Sequence, residues 1–293
     1  MDIFITGASG YVGSHLTRRL IDEGHRVHAL ARSSRARERV EELGATARAG
    51  SLAELDVLEA AARDADAVVH AAVDYADPAM ADTELPALRA LLSGARGKPF
   101  VYVSTGLVYP NSPAPLTEST ELGAETAAQP FKLLGERAVL GAGGTVVRPA
   151  LVHGHGGSAL LVGLFAAARE RGVVPYVGDG AQRWSTVHVD DVARLVSALL
   201  ERPAPGEAFN AAAPQPVAIA DLAGAIAEHA GATPIALTLE QALQVNPAIA
   251  LLGRTAVLDP AKAQDLRGWS AEGPALLDDL GSVAYRELAA AAA

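Results

Sequence analysis

The sequence contains no cysteine among its 293 residues. This absence excludes disulfides, thiolate-bound metal clusters and a cysteine nucleophile, and it is typical of a protein of the reducing cytoplasm. Aromatic residues are also scarce, at 4% of the chain, which argues against a large aromatic platform for a substrate. The eight histidines are scattered without the spacing of a ligand set, so we expect no structural or catalytic metal.

Basic residues are fewer than acidic ones. The chain has 24 lysines and arginines and 34 aspartates and glutamates, so its net charge is −10. A face that binds nucleic acid is normally basic, so we expect no nucleic acid partner. No apolar run approaches the length of a membrane span. Met1 leads directly into a strand-like run, so we expect no membrane anchor and no signal or transit peptide. These features predict a cytoplasmic protein that acts on a small molecule.

Glycine, by contrast, recurs at a fixed spacing near the start of the chain. The apolar residues 3–5 suit a buried strand, Gly7, Gly10 and Gly13 follow at three-residue intervals, and residues 14–20 have a helical pattern. The first glycine permits a tight turn, the second lets the backbone approach phosphates, and the third lets the helix pack on the strand. The spacing predicts a dinucleotide whose pyrophosphate binds N–H groups at the helix start. A glycine-rich turn without a ligand is the alternative, and it leaves the regular spacing unexplained.

Strand-like and helical segments alternate along the first half of the chain. The predicted strands are Asp2–Ile5, Arg26–Ala31, Thr46–Ala49, Ala67–His70, Pro99–Ser104 and Thr145–Arg148. The predicted helices are Val12–Glu23, Arg35–Leu43, Ala53–Ala62, Leu85–Ala95, Phe131–Leu140 and, after a capping pair of aspartates, Val192–Leu200. This alternation predicts an α/β fold, with a doubly wound Rossmann parallel sheet that carries helices on both faces.

Proline and glycine become denser between residues 149 and 180, where we expect the chain to leave the sheet. We therefore predict a nucleotide-binding Rossmann domain over residues 1–150, with a returning segment at about 183–213. A smaller C-terminal lobe for the substrate is predicted from residues 151–182 and 214–293. In sheets of this type the ligand lies at the carboxyl ends of the strands, near the switch point.

The end of the second predicted strand favours one nucleotide over another. Ala31 and Arg32 stand where an NAD site usually carries an acidic side chain for the adenosine ribose. A carboxylate would repel a 2′-phosphate, whereas an arginine pairs with it bidentately. Arg32, with Ser33 and Arg35, therefore favours NADP over NAD. The alternative is that these arginines are solvated residues at a helix start.

Several segments together resemble the extended short-chain dehydrogenases, the NAD-dependent epimerase/dehydratase group. The opening Thr6-Gly7-Ala8-Ser9-Gly10-Tyr11-Val12-Gly13 is similar to the family's nucleotide turn. The other similar segments are 66–72, 101–109, 147–154 and 187–193. The resemblance implies an extended Rossmann fold, an adenine dinucleotide cofactor and a homodimer formed through the helices near 85–95 and 131–140.

The resemblance also implies contacts to the cofactor along these segments. Ser9, Tyr11 and Val12 would accompany the three glycines at the pyrophosphate. Ala71 and Ala72 would border the adenosine and ribose path. The family's turn beside the nicotinamide matches residues from Pro149 through Val152 to His153.

The family further implies a Ser/Thr…Tyr-x-x-x-Lys active site, in which the tyrosine exchanges a proton with the substrate and the lysine holds the nicotinamide ribose. Thr105 matches the hydroxyl position, and Lys132 matches the lysine position. Four residues before Lys132, where the tyrosine should stand, the chain has Ala128. No tyrosine occurs between Tyr109 and Tyr176, so a shift of register does not restore the motif.

Other residues are candidates for the missing proton donor. Tyr109 is the phenol nearest to Thr105, although packing is its usual role, and Tyr75 lies in a loop expected over the cofactor. His153 follows the predicted turn beside the nicotinamide, and a histidine donates a proton near neutral pH. Lys132 would also serve if burial lowered its pKa.

The sequence therefore predicts an NADP(H)-dependent oxidoreductase that acts on a small organic carbonyl, imine or alcohol through a non-standard proton donor. Two other classes stay open. One is an isomerase, lyase or cyclase that keeps the nucleotide as a scaffold or transient hydride store. The other is a non-catalytic NADP-binding regulator.

Overall fold

The computed structural model describes residues 1–73 and 79–290. Its strands are β1 Asp2–Thr6, β2 Arg26–Ala31, β3 Thr46–Ala49, β4 Ala67–His70, β5 Phe100–Val103, β6 Thr145–Pro149, β7 Leu151–His153, β8 Val173–Val177, β9 Arg183–Trp184, β10 Thr186–His188, β11 Ala208–Ala211, β12 Val217–Ala218 and β13 Thr233–Leu237. Its helices are α1 Tyr11–Asp22, α2 Ser34–Glu42, α3 Leu55–Asp64, α4 Met80–Gly94, α5 Pro130–Gly141, α6 Ala159–Arg171, α7 Val189–Glu201, α8 Ile219–Ala230, α9 Leu239–Val245, α10 Pro247–Ala250, α11 Ala261–Arg267, α12 Leu276–Asp279 and α13 Val283–Ala290, with 3₁₀ turns at Gly106–Val108 and Leu251–Gly253.

A seven-stranded sheet forms the centre of the described fold, in the order β11-β6-β5-β4-β1-β2-β3. The pairings from β6 through β3 are all parallel. The strand order reverses beside β1, which lies between β2 and β4, as in a doubly wound sheet. The predicted fold class, a Rossmann α/β protein, is confirmed.

The central strands read as continuous apolar runs because helices cover both faces of a parallel sheet. Ile3, Phe4 and Ile5 of β1 and Val68 and Val69 of β4 have no measurable exposure. Helix α3 packs on α4, and α4 packs on α5. The carboxyl ends of β1, β4 and β5 are thereby held at one edge of a rigid core, where functional side chains can be positioned.

Helix α4 begins earlier than the sequence predicts. Its expected start was Leu85, yet the helix begins at Met80 and carries Pro86 within it. A proline disfavours a helix interior because it removes a backbone donor. The proline is exposed. The buried residues Met80, Glu84, Ala87, Leu88 and Leu91 recur at helical spacing, and their packing maintains the helix across the proline.

The described chain divides into two compact units. Unit 1 contains residues 1–108, 129–148 and 192–209, and unit 2 contains 109–128, 149–191 and 210–293. The predicted boundary at residue 150 placed 109–128 with the first domain, whereas their contacts lie within unit 2. The assignment of one domain to nucleotide and the other to substrate stays a prediction.

Unit 2 is built from short strand pairs and helices. β7 pairs with β10 and β8 with β13 in parallel, and β9 pairs with β12 antiparallel. The predicted capping aspartates of α7 lie inside its first turn, since the helix begins at Val189. The Asp191 carboxylate accepts backbone N–H groups of Glu272 and Gly273, so it also holds a later segment of the chain.

Candidate functional site

The glycine turn between β1 and α1 has no room for a side chain at Gly7 or at Gly13. Gly7 has a φ of +81°, and a Cβ there would lie 2.6 Å from the backbone of Ala71 and of Ala72. A Cβ at Gly13 would overlap the carbonyl oxygen of Gly7. The N–H of Gly10 donates to that same oxygen at 2.9 Å. The turn is therefore tight, and it lies directly against the segment that follows β4.

Helix α1 begins at this turn without a side-chain cap. Its N-cap is Gly10, which offers no capping oxygen, and Ser9, Tyr11 and Val12 beside it are half-buried. The first N–H groups of a helix need an acceptor, and the helix dipole makes an anion favourable there. A pyrophosphate fits this position, because the glycines let its oxygens approach the backbone.

The end of β2 is exposed and basic. Arg32 and Ser33 follow the buried Ala31 and are exposed. The Ser33 hydroxyl accepts the N–H of Ala36 at 3.2 Å and caps α2, so part of its hydrogen-bonding capacity serves the helix. Residues 32–37 contain three arginines and no acid, which leaves the strand end suited to an anion.

Thr105 lies just after β5, at the carboxyl edge of the sheet. It is 9% exposed, and its Oγ1 accepts the N–H of Leu107 at 3.2 Å. The 3₁₀ turn at Gly106–Val108 therefore fixes the position of the hydroxyl oxygen. This hydrogen bond uses a lone pair and leaves the hydroxyl proton available to a substrate oxygen.

Lys132 lies in the first turn of α5 and is 1% exposed. Its Nζ donates to Oε1 of Glu84 at 2.7 Å, and Glu84 is itself 1% exposed. Burial lowers the pKa of Lys132, and the Glu84 carboxylate opposes that shift. The lysine expected at the ribose is therefore held in a buried ion pair of unit 1.

A buried polar network continues from this ion pair. The Tyr102 hydroxyl donates to the same oxygen of Glu84, and the Tyr102 ring stacks on His70 with centroids 5.6 Å apart. His70 Nδ1 and the Thr6 hydroxyl lie 2.7 Å apart. Burial, and then the charge of Lys132, lower the pKa of His70 to about 3. His70 is therefore neutral near pH 7, as a structural histidine.

The two candidate proton donors of unit 2 both have partners. Tyr109 is buried, and its hydroxyl donates to Oδ1 of Asn210 at 2.8 Å. His153 is 1% exposed, and its Nδ1 lies 3.0 Å from Oδ2 of Asp279. Burial lowers the pKa of His153 although Asp279 raises it. Both side chains are therefore engaged within unit 2, and a catalytic role for either one stays a prediction.

The other predicted positions include residues at the end of β6, in β7 and just before α5. Pro149 is buried and Val152 is half-buried in unit 2, at the end of β6 and in β7. Ala128 is half-buried just before α5. Tyr75 lies outside the described residues.

Sequence reasoning missed Glu84, the residue that determines the environment of Lys132. A signal existed, because Glu84 is an acid on the apolar face of α4, in register with Met80 and Leu88. Acidic residues are almost never fully buried unless paired, so such a position indicates a buried cation nearby. The sequence alone does not say which cation.

The glycine turn and the strand order define a dinucleotide-binding α/β protein. The chain belongs to the NAD dependent epimerase/dehydratase family, whose model matches residues 3–212. An uncharacterized protein of Schizosaccharomyces pombe is 30% identical over 298 residues, which cover 97% of this chain and 100% of that protein.

One further relative and one solved structure have names that state an enzyme activity. A 4-hydroxy-2-methyl-3-oxo-4-farnesyl-3,4-dihydroquinoline-1-oxide ketoreductase of Stigmatella aurantiaca is 31% identical over 71% of this chain and 67% of its own length. The structure of a dTDP-glucose 4,6-dehydratase from Streptomyces venezuelae with NAD and TYD bound has a TM-score of 0.81 at 20% identity and covers 98% of this chain and 97% of that one. At that identity the likeness shows the fold. The family supports an oxidoreductase or epimerase-like enzyme with a nicotinamide nucleotide, and none of the described helices is long and apolar enough to cross a membrane.

Proposed function

We propose that this protein is an NADP(H)-dependent oxidoreductase that acts on a small organic carbonyl, imine or alcohol. The observation that carries the proposal is the glycine turn of β1 and α1, whose Gly7 and Gly13 have no space for a Cβ. A turn so constrained costs conformational freedom, and the backbone approach of a pyrophosphate accounts for that cost.

Arg32 supports NADP over NAD. The exposed strand end at Arg32 carries no acid through residue 37, so none of these side chains repels a 2′-phosphate. An arginine pairs with phosphate through charge-assisted hydrogen bonds, which are stronger than neutral ones. The ketoreductase name of the Stigmatella relative favours a ketone as the substrate class.

The chain supplies few groups for the proton transfer. A nicotinamide nucleotide, when bound, would supply the hydride, and the Thr105 hydroxyl would donate a hydrogen bond that orients the substrate oxygen. Ala128 has no proton to donate, and general acid catalysis contributes roughly 10²–10⁴-fold. A substrate that is already polarised, such as an iminium or a conjugated acceptor, needs such an acid least.

Ala128 also favours a second candidate, in which the nucleotide binds without net redox chemistry. This class includes an isomerase, lyase or cyclase and a non-catalytic regulator. The buried partners of Tyr109, His153 and Lys132 support it, because each residue is engaged away from solvent. A cytoplasmic location and a homodimer through α4 and α5 stay predictions.

One assay separates these candidates. Purified protein is incubated with NADPH or NADH and a panel of ketones, imines and conjugated carbonyls, and absorbance of the reduced nucleotide is followed together with product formation. Net loss of NADPH with reduced product supports the oxidoreductase. Product without net nucleotide change supports the isomerase or lyase. Calorimetric binding of NADPH with no turnover supports the regulator, and no binding of any nicotinamide nucleotide contradicts all three.

A further inference from the structure

The ammonium group of Lys132 is enclosed on several sides within unit 1. Oε1 of Glu84 lies 2.7 Å from Nζ. The ring centroid of Tyr102 lies 4.9 Å from Nζ and that of Phe131 lies 5.6 Å away. A lysine normally extends its charged head into water. This one has its head in the core, with 1% of the residue exposed.

The packing around the pair is specific. A Cβ at Gly135, one turn after Lys132, would lie 2.7 Å from Leu88 Cδ1 and 2.9 Å from the Tyr102 hydroxyl oxygen. The glycine therefore lets α5 approach α4 and β5 closely enough for Tyr102 and Lys132 to share one oxygen of Glu84. The lysine also lies in the first turn of α5, where the helix dipole disfavours a cation. Glu84 offsets both the burial and the dipole.

A cation held in this way does not reach a ribose. To donate to a ribose hydroxyl, Lys132 would have to break a charge-assisted bond and leave Glu84 buried without its countercharge, which is strongly unfavourable. Oε2 of Glu84 already lacks a hydrogen-bond partner among the described residues. Loss of Lys132 from the pair would leave only the Tyr102 hydroxyl on this carboxylate.

We propose that Glu84 is a positioning residue that withholds Lys132 from the nicotinamide nucleotide, so that the chain binds its cofactor without the lysine contact. The inference rests on the proposed nucleotide-binding function. A nucleotide held without this contact dissociates more readily, which suits a cosubstrate exchanged in every turnover. Faster dissociation would be a disadvantage for an isomerase, which retains its nucleotide through the catalytic cycle.

Lysine acylation tests the enclosure without any cofactor. The lysines of the sequence are Lys98, Lys132 and Lys262, so peptide mapping after brief treatment with acetic anhydride resolves each one. Lys132 should react at least about tenfold more slowly than Lys262, which is only half-buried. In Glu84→Gln, which keeps the shape and removes the charge, Lys132 should become at least about tenfold more reactive. Equal reactivity of Lys132 and Lys262 in the natural protein would overturn the proposal.

Glu136→Gln is the matched control variant. Glu136 is also a buried acid whose cation is held in unit 1, since its Oε2 accepts from Arg148 Nη2 at 2.7 Å. It therefore reproduces the loss of a buried ion pair on α5 itself without removing the direct partner of Lys132. Glu136 also raises the pKa of Lys132, but less than Glu84 does, so acylation of Lys132 should rise far less than in Glu84→Gln. A rise equal to that in Glu84→Gln would mean general loosening and would overturn the specific role of Glu84.

Nucleotide affinity tests the consequence. By calorimetry, Glu84→Gln should bind NADPH about tenfold more tightly than the natural protein, and Glu84→Gln/Lys132→Met should return to within about twofold of it. The double variant removes both charges, which is often tolerated when a buried pair is replaced as a whole. A tenfold weaker affinity in the double variant would show that Lys132 already contacts the cofactor. If no variant binds a nicotinamide nucleotide, the proposed function fails, and acylation still decides the enclosure.

Discussion

Three single residues bear on the proposed proton transfer and nucleotide preference of this Rossmann fold. Ala128 removes the phenol from the position four residues before Lys132, and Glu84 buries the lysine that would otherwise assist it. Arg32 presents a cation where an acid would select NAD. The proposals about proton transfer and nucleotide choice rest on these three positions, and each can be tested by substitution.

Arg32→Ala should weaken NADP binding by about 1–3 kcal/mol, as expected for the loss of charge-assisted bonds. NAD binding should stay nearly unchanged, because NAD has no 2′-phosphate. Calorimetric titration with both nucleotides measures the difference. Arg39→Ala is the matched control, since Arg39 is an exposed arginine in the last turn of α2, beyond the basic strand end, and should affect neither affinity. Equal losses for NADP and NAD would mean that Arg32 does not contact the phosphate.

Ala128→Tyr should raise the rate of reduction of a simple ketone, because the new phenol is a general acid. The gain should stay below the roughly 10²–10⁴-fold of a full acid, since Lys132 remains bound to Glu84. Adding Glu84→Gln should increase it further. Steady-state NADPH oxidation measures both effects, with Ala127→Tyr as the control. A variant that stays inert in both backgrounds would show that the substrate pocket itself has diverged.

At the scale of elements, the junction of β1, α1 and β4 is tightly packed. The turn of α1 contacts the backbone after β4 through Gly7, and α1 approaches the turn through Gly13. Parallel strands place both segments at the carboxyl edge of the sheet. An added side chain at Gly7 or Gly13 would meet backbone atoms, which cannot rotate away.

Gly13→Ala should lower the free energy of unfolding by at least about 1–3 kcal/mol, the usual cost of overpacking, and should abolish nucleotide binding. The added methyl group would overlap the Gly7 carbonyl, which is backbone and cannot rotate away. Urea denaturation and calorimetry measure the two effects. Gly163→Ala is the control, because Gly163 lies in α6 with open space around a Cβ. It should stabilise the protein by up to about 1 kcal/mol through helix propensity, and a Gly13→Ala protein as stable as this control would refute the steric argument.

At the scale of the whole molecule, the buried titratable groups link stability to pH. His70 and His153 are almost completely buried, and burial lowers the pKa of each, to about 3 for His70. Unfolding exposes both residues and restores a pKa near 6.5. The unfolded chain therefore binds more protons than the folded one as the pH falls below 6.5.

The contribution of the two histidines to the free energy of unfolding should be complete above about pH 6.5. It should decrease as the pH falls from 6.5 toward 3. Each histidine that stays neutral in the fold contributes a slope of about 1.4 kcal/mol per pH unit in that window. Urea unfolding at several values between pH 8 and pH 4.5 measures the slope. In His70→Gln, which does not titrate, the slope should be smaller by one histidine's share. An unchanged slope would show that His70 has the same pKa in the folded protein as in the unfolded chain.

Short-range patterns account for what could be predicted from the sequence. The strands β2, β3 and β4 end at the predicted residues, because apolar runs bounded by glycines and polar turns are local signals. The predicted start of α4 at Leu85 was wrong. The packing of Met80 and Glu84 extends the helix to Met80 in spite of Pro86. Local propensity cannot report contacts that form only after the helices are packed.

The sequence by itself determined the Rossmann fold, the glycine turn and the membership of the family, and it has alanine at position 128. These properties reside in residue identities and short spacings, which no packing can alter. Only the tertiary structure decided the environment of Lys132, because its partner Glu84 lies 48 residues away along the chain. The two meet because α4 packs on α5, and a buried charge takes whichever countercharge the packing brings within reach.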